Sequence, residues 1–264
     1  PANGFFHWFS RHVGGNNAID YLTKVEGMDF VSAVRLLSEM TPVAVSFQPA
    51  KSVPAKPHEP RPFTLPTPDR NAEAVAAYLM HRGISAKVLR YCVGSGILYQ
   101  TTRGSYRNCV FVGKDEHGVA RCAFQRGCQG TFRGDVSGSQ KQYGFLISAE
   151  DPECDTVEIY EAPIDAMSGA TIRQYKHDRP WRSVHYLAMG GLNHQPIDYF
   201  LSQHHHVKTV VLCFDRDEPG RNFTETVAKK LTDKKYTVKD MPPAVGKDYN
   251  EYLLAARRLI NMEL

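Results

Sequence analysis

The chain contains no C-x-x-C pair: Cys92, Cys109, Cys122, Cys128, Cys154 and Cys213 stand apart. That spacing excludes a zinc ribbon and a thioredoxin-type redox motif. A long apolar run is also missing. The cleanest, around Val210 to Phe214, is far shorter than the roughly 20 residues a membrane helix needs, so no membrane partner is expected. No signal peptide is visible, which makes reduced thiols in a cytoplasmic protein the expectation. The first residue is Pro1 rather than methionine, as in a fragment of a longer chain. What is present is enough for a core: 264 residues, 42% hydrophobic and 11% aromatic, fit one large domain or two smaller ones and exclude a disordered or collagen-like chain.

Charge is distributed unevenly. Residues 1–141 hold seventeen Lys and Arg against ten acids, whereas residues 142–264 hold fifteen against eighteen. A basic front half suits a polyanion and an acidic back half suits a cation.

Proline marks the organisation. Eight of sixteen lie between Pro42 and Pro68, an extended linker over 42–70. Before it, residues 1–41 read as a small unit with two short helices, the second capped by Asp29 and carrying Phe30, Ala33, Val34 and Leu37 on one face. After it, residues 71–155 read as α+β: helices capped by Asn71 and Ser85, then strand-like runs at 96–99, 108–112 and 119–124. From residue 156 to 264, strand and helix patterns alternate with short connections, the signature of an α/β layer with a mostly parallel sheet.

In such sheets chemistry gathers at the carboxyl ends of the strands. Those ends carry Glu161, then Gly190-Gly191, then Asp215 and Asp217, then Asp248, with Asp165 one helical turn beyond Glu161. Converging carboxylates repel one another, so the set calls for protonation or for hard divalent cations; Mg2+ (or Mn2+) takes oxygen ligands of this kind. The glycines let a backbone approach a substrate closely. The run His204-His205-His206 reads as a polar helix end, since adjacent histidines point in different directions around a helix.

Tyr160-Glu161-Ala162-Pro163-Ile164-Asp165, Met189-Gly190-Gly191, Phe214-Asp215-Arg216-Asp217 and Lys247-Asp248-Tyr249-Asn250-Glu251 together resemble the Toprim domain shared by bacterial primases, topoisomerases and some nucleases. The resemblance implies a Rossmann-like, mostly parallel sheet flanked by helices, with Glu161, Asp215 and Asp217 catalytic and Glu161, Asp165, Asp215, Asp217 and Asp248 around the metal. Asn250 stands where primases often place a further acid. The segment before it, basic and interleaved with Tyr106, Phe111, Phe124, Phe132 and Tyr143, is similar to the hairpin that precedes Toprim in primase cores. Arg107, Arg121, Arg126, Lys141 and Lys247, with Gly190 and Gly191, are then the candidates for holding nucleic acid or nucleotide.

Residues 1–41 resemble the helical remnant of a primase-type zinc-binding domain whose ligands have no counterparts here, so zinc is not expected in this chain. The layout is similar to that of primase-like proteins of plasmids, phages and conjugative elements. It implies metal-dependent nucleotidyl transfer on single-stranded DNA from nucleoside triphosphates, with a replicative helicase as a further partner. A Toprim nuclease and a non-catalytic DNA-binding module are the alternatives.

Overall fold

The structure, a computed structural model, describes residues 6–8, 13–15, 17–40, 62–176 and 180–262. It divides into two compact units, Pro1–Glu59 and Pro60–Leu264. Most of the proline-rich stretch expected as a linker, residues 41–61, lies outside the described residues.

In the first unit, β1 (Phe6–Trp8) pairs antiparallel with β2 (Val13–Gly15), followed by α1 (Ala18–Lys24) and α2 (Phe30–Met40). Asn17 caps α1, its side chain accepting from the Asp20 N–H at 2.8 Å, and Asp29 accepts from the Ser32 N–H at 3.1 Å at the start of α2, as its sequence position suggested. The strand pair was not legible, because three residues carry no usable period.

The second unit begins with α3 (Glu73–His81) and α4 (Ala86–Gly94). Ser85 caps α4 as expected, accepting from the Val88 N–H at 3.2 Å. The N-cap position of α3 is Ala72, which has no polar side chain; Asn71, one residue earlier, accepts from the Glu73 N–H at 3.4 Å, and the Gln100 side-chain oxygen accepts from the Ala74 and Val75 N–H groups. A side chain far along the chain thus satisfies donors that helix ends leave free.

An antiparallel sheet follows, with strand order β3 (Leu98–Arg103), β4 (Tyr106–Lys114), β5 (Ala120–Gly127), β6 (Arg133–Asp135). Its register pairs Phe111 with Phe124 and Cys109 with Arg126, and Arg126 with Arg133 on the next strand. Side chains alternate between faces along a strand. One face therefore carries Arg107, Cys109, Phe111, Cys122, Phe124, Arg126 and Arg133. Its apolar members join the main core, while Val110, Val112 and Ala123 on the other face pack with Phe63 and Leu65.

The second sheet has order β11 (Thr237–Asp240), β10 (Thr209–Leu212), β8 (Thr156–Tyr160), β9 (His185–Ala188), β7 (Phe145–Ile147). All pairs are parallel except β7 with β9, so a strand lying before residue 156 forms the antiparallel edge. Helices cover both faces, which is why the strands read as continuous apolar runs. Val157, Ile159, Leu187, Val210 and Leu212 face α6 (Gln195–Gln203) and α7 (Glu218–Asp233). Tyr160, Tyr186, Ala188, Val211 and Cys213 face α5 (Pro163–Lys176) and α8 (Tyr249–Met262).

This second face holds a buried ion pair. Glu158 of β8 accepts from Arg173 of α5 and from the Tyr160 hydroxyl at 2.7 Å. His204 terminates α6 with its ring stacked on Phe200 at 4.0 Å, the helix end that the sequence suggested.

Candidate active site

β8 is the switch point of the parallel sheet: the chain leaves it through α5 to β9 on one side and returns through α6 to β10 on the other. Crevices open at such points, beyond the carboxyl ends of the strands. Glu161 stands in this one. Its backbone carbonyl accepts from the Gly190 N–H at 2.8 Å and the Gly191 N–H at 3.0 Å, and its Oε1 accepts from the Asp215 N–H at 3.1 Å. One residue thus ties together the ends of three strands.

Asp217 caps α7, its Oδ1 accepting from the Gly220 N–H at 3.0 Å. Gly220 has no room for a side chain, since a Cβ there would lie 2.5 Å from the Asp215 carbonyl and 2.9 Å from Glu161 Oε1. Asp248 caps α8, accepting from the Glu251 N–H at 2.7 Å. Lys247 stands between the acids, its Nζ 2.9 Å from Asp217 and 3.6 Å from Asp215.

The charges respond to this crowding. Burial and the neighbouring Asp215 push the Glu161 carboxyl up to about 7. Burial, with Asp248 next, raises Asp215 to about 6, against the pull of Lys247. Asp217, bonded to the Lys247 ammonium, is held below the usual carboxylate range. Mutual repulsion of this kind is relieved by a proton or a cation.

Asp165 lies deeper than the other acids of the crevice. It is 8% exposed, and it accepts from the Asn250 N–H at 3.1 Å. Burial, with Asp248 and Asp215 nearby, raises its carboxyl well above the usual value. Asp165 thereby fastens α5 to the first turn of α8. Asn250, 1% exposed, completes the fastening by donating to the Arg82 carbonyl at 2.8 Å and to Ser168 Oγ at 3.0 Å. A carboxylate at 250 could not donate those bonds, which explains the amide in physical terms.

The basic candidates separate. Arg107 is exposed and shares a sheet face with Arg126, whose Nε donates to the Tyr78 hydroxyl at 3.4 Å. Arg133, also part of the basic segment, stands beside Arg126 on the three-residue strand β6. Arg121 sits at the irregularity in the β4–β5 register, its guanidinium bound to Asp115 at 2.8 Å. Lys141 pairs with Asp135. These two brace the sheet, and they do not extend the Arg107 row.

Phe124 links the sheet to the crevice. Gly190 has φ +76°, and a Cβ on it would lie 1.9 Å from the Phe124 ring. Gly190→Ala is therefore expected to destabilise the protein through both the left-handed backbone, about 1–2 kcal/mol, and the collision. Combined with Phe124→Ala, the two losses should fall short of additivity by at least about 1 kcal/mol. Urea denaturation of the four proteins measures this, and strict additivity would contradict the contact.

Among the described residues no group of three or more His, Cys, Asp or Glu is already arranged to hold a metal ion. No helix among them is long and apolar enough to cross a membrane.

Residues 158–253 match a Toprim-like family, and residues 77–152 match DUF3991, a family of unknown function. The carboxyl-terminal part of the chain is a Toprim-like domain. The chain as a whole is similar to the primase fragment of the bacteriophage T7 primase-helicase protein, at 17% identity and a TM-score of 0.56 over 99% of this chain and 90% of that one. It also matches the Aquifex aeolicus primase (zinc-binding and RNA polymerase domains), at 18% identity and a TM-score of 0.47 over 99% and 74%. The first likeness establishes a primase-type fold. No curated protein matches the sequence.

Proposed function

We propose that the chain is a primase-like enzyme that joins nucleotides on a single-stranded DNA template. The observation that carries this reading is the convergence of Glu161, Asp215 and Asp217 at the switch point of a Toprim-like sheet, with Lys247 between two of them.

The donor set fits a hard divalent cation, Mg2+ or Mn2+: the carboxylates offer oxygen only, repel one another and already draw the Lys247 ammonium. Glu161, Asp215 and Asp217 are the residues that would hold it, with Asp248 nearest to join them, and Asp165 serves to position α8. Such an ion would neutralise triphosphate charge and acidify a sugar hydroxyl. The chain's own contribution is positioning and charge. Glu161, held in place by the Asp215 N–H, fixes negative charge where the cation and the reacting hydroxyl would meet. Lys247, freed from the acids, supplies a cation for a phosphate, and Gly191, exposed and at φ +120°, leaves the nearby backbone open to a nucleotide.

Arg107, Arg126 and Arg133 lie on the sheet face that continues from Phe124, whose ring touches Gly190. A template strand held there by its phosphates would run toward the crevice. The test is incubation of the protein with single-stranded DNA, Mg2+ or Mn2+ and labelled nucleoside triphosphates, with the products resolved by length. New short oligomers are expected.

A further inference from the structure

Six free thiols are present, and two of them meet. Cys109, in β4, is fully buried; Cys128, one residue past the end of β5, is partly exposed. Their sulfurs are 4.0 Å apart. The Cys128 N–H donates to the Arg107 carbonyl at 2.9 Å, and Cys109 is the register partner of Arg126. The pair therefore sits beside Arg107 and Arg126, two of the three arginines of the proposed template face. We propose that Cys109 and Cys128 form a reversible oxidation site, converted by hydroperoxides to an intramolecular disulfide that weakens the grip of this face on nucleic acid.

Three observations support the pair. The sulfur–sulfur contact with Cys109 and, more weakly, the charge of Arg107 hold the Cys128 thiol below the ordinary range, which favours the nucleophilic thiolate. Cys128 lies one residue past the end of β5, its N–H bonded to the Arg107 carbonyl at 2.9 Å, so closing the sulfurs from 4.0 Å to bonding range displaces that end of the strand. The hydrogen bond to Cys128 and burial push the Cys109 thiol up, as burial does those of Cys92 and Cys213, so Cys128 is the sulfur that meets the oxidant and its 4.0 Å contact is what sets Cys109 apart; burial raises Cys122 to about 11, and Cys154 donates to the Thr156 and Ser183 carbonyls.

The chemistry balances in two steps. The Cys128 thiolate attacks a peroxide oxygen, the O–O bond breaks, and hydroxide leaves a sulfenic acid on Cys128. Cys109 sulfur then attacks Cys128 sulfur, the S–O bond breaks, and water leaves with the thiol proton. The two electrons lost by the thiols reduce the peroxide. The new bond draws Cys128 toward β4, and with it the backbone that carries Arg126 and faces Arg107.

The effect on binding rests on the proposed function, whereas the bond itself does not. The experiment therefore has two arms on the full chain. In the first, hydrogen peroxide treatment is followed by alkylation and peptide mapping of the protein and of its Cys128→Ser and Cys109→Ser variants. A linked Cys109–Cys128 peptide, absent from both variants, is expected, with the other four cysteines alkylated and the link reversed by dithiothreitol. Loss of thiols elsewhere first, or independent oxidation of the two, would overturn the assignment.

In the second arm, anisotropy of a labelled oligothymidylate is read before oxidation, after it, and after reduction. Affinity is expected to fall about tenfold on oxidation, as when a phosphate contact or two is lost, and to recover with dithiothreitol. A disulfide that forms with affinity unchanged overturns the link to binding. Failure of the reduced protein to bind DNA overturns the proposed function instead and leaves the peptide map to decide the oxidation site.

Discussion

Glu161→Gln is expected to lower nucleotide incorporation by about 100-fold or more while changing single-strand affinity by less than about twofold. The substitution is conservative where the fold depends on the residue. A glutamine oxygen still accepts the Asp215 N–H, and the carbonyl that receives Gly190 and Gly191 belongs to the backbone. Only the negative charge is removed. The group has been pushed up to about 7 by burial and by Asp215, so the charge it carries is one that the site holds at a cost. The arginines that would hold DNA lie on the other sheet and remain untouched. Parallel assays of product formation and of oligonucleotide anisotropy check this. Equal loss in both would mean that Glu161 maintains structure, and no loss in either would leave the crevice without a catalytic role.

The second large effect is on stability. Arg173→Met should cost about 3 kcal/mol, because it removes the ionic partner of Glu158 and leaves that carboxylate buried with only the Tyr160 hydroxyl. The Glu158 side chain is 9% exposed and that of Arg173 23%, so water restores little of the lost solvation. For a unit of this size the melting temperature should fall by about 6–12 °C. Combining Arg173→Met with Glu158→Leu should recover most of the loss, since an apolar pair of similar volume avoids the desolvation of both charges. A double variant no more stable than the single one would show that packing by the arginine stem, and not the stranded charge, carries the effect.

How much of this was legible follows from periodicity. The α/β alternation after residue 156 could be read because both faces of the sheet are covered, which makes each strand an apolar run. Glu161 and Asp215 could be read for the same reason, since they follow those runs closely, whereas Asp248 lies eight residues past the exposed edge strand β11 and was legible from its Lys247-Asp248-Tyr249-Asn250-Glu251 motif. Asp165 was placed correctly on the first turn of its helix, but its burial came from α8, a helix some 80 residues away, which local spacing cannot reveal. Arg121 meets Asp115 across the β4–β5 turn and Lys141 meets Asp135 across the turn that follows β6, so these side chains look free in the sequence and are engaged in the fold. In the sequence Phe124 reads as one of the aromatics interleaved with the basic side chains. Its contact with Gly190 joins two sheets, and no pattern within either segment announces it.

The most direct measurement is the length analysis of products formed from single-stranded DNA, Mg2+ and labelled nucleoside triphosphates, beside a Glu161→Gln/Asp215→Asn control. The account predicts new short oligomers that require the metal and vanish in the control. Shortened input DNA without new oligomers would contradict it and identify a nuclease.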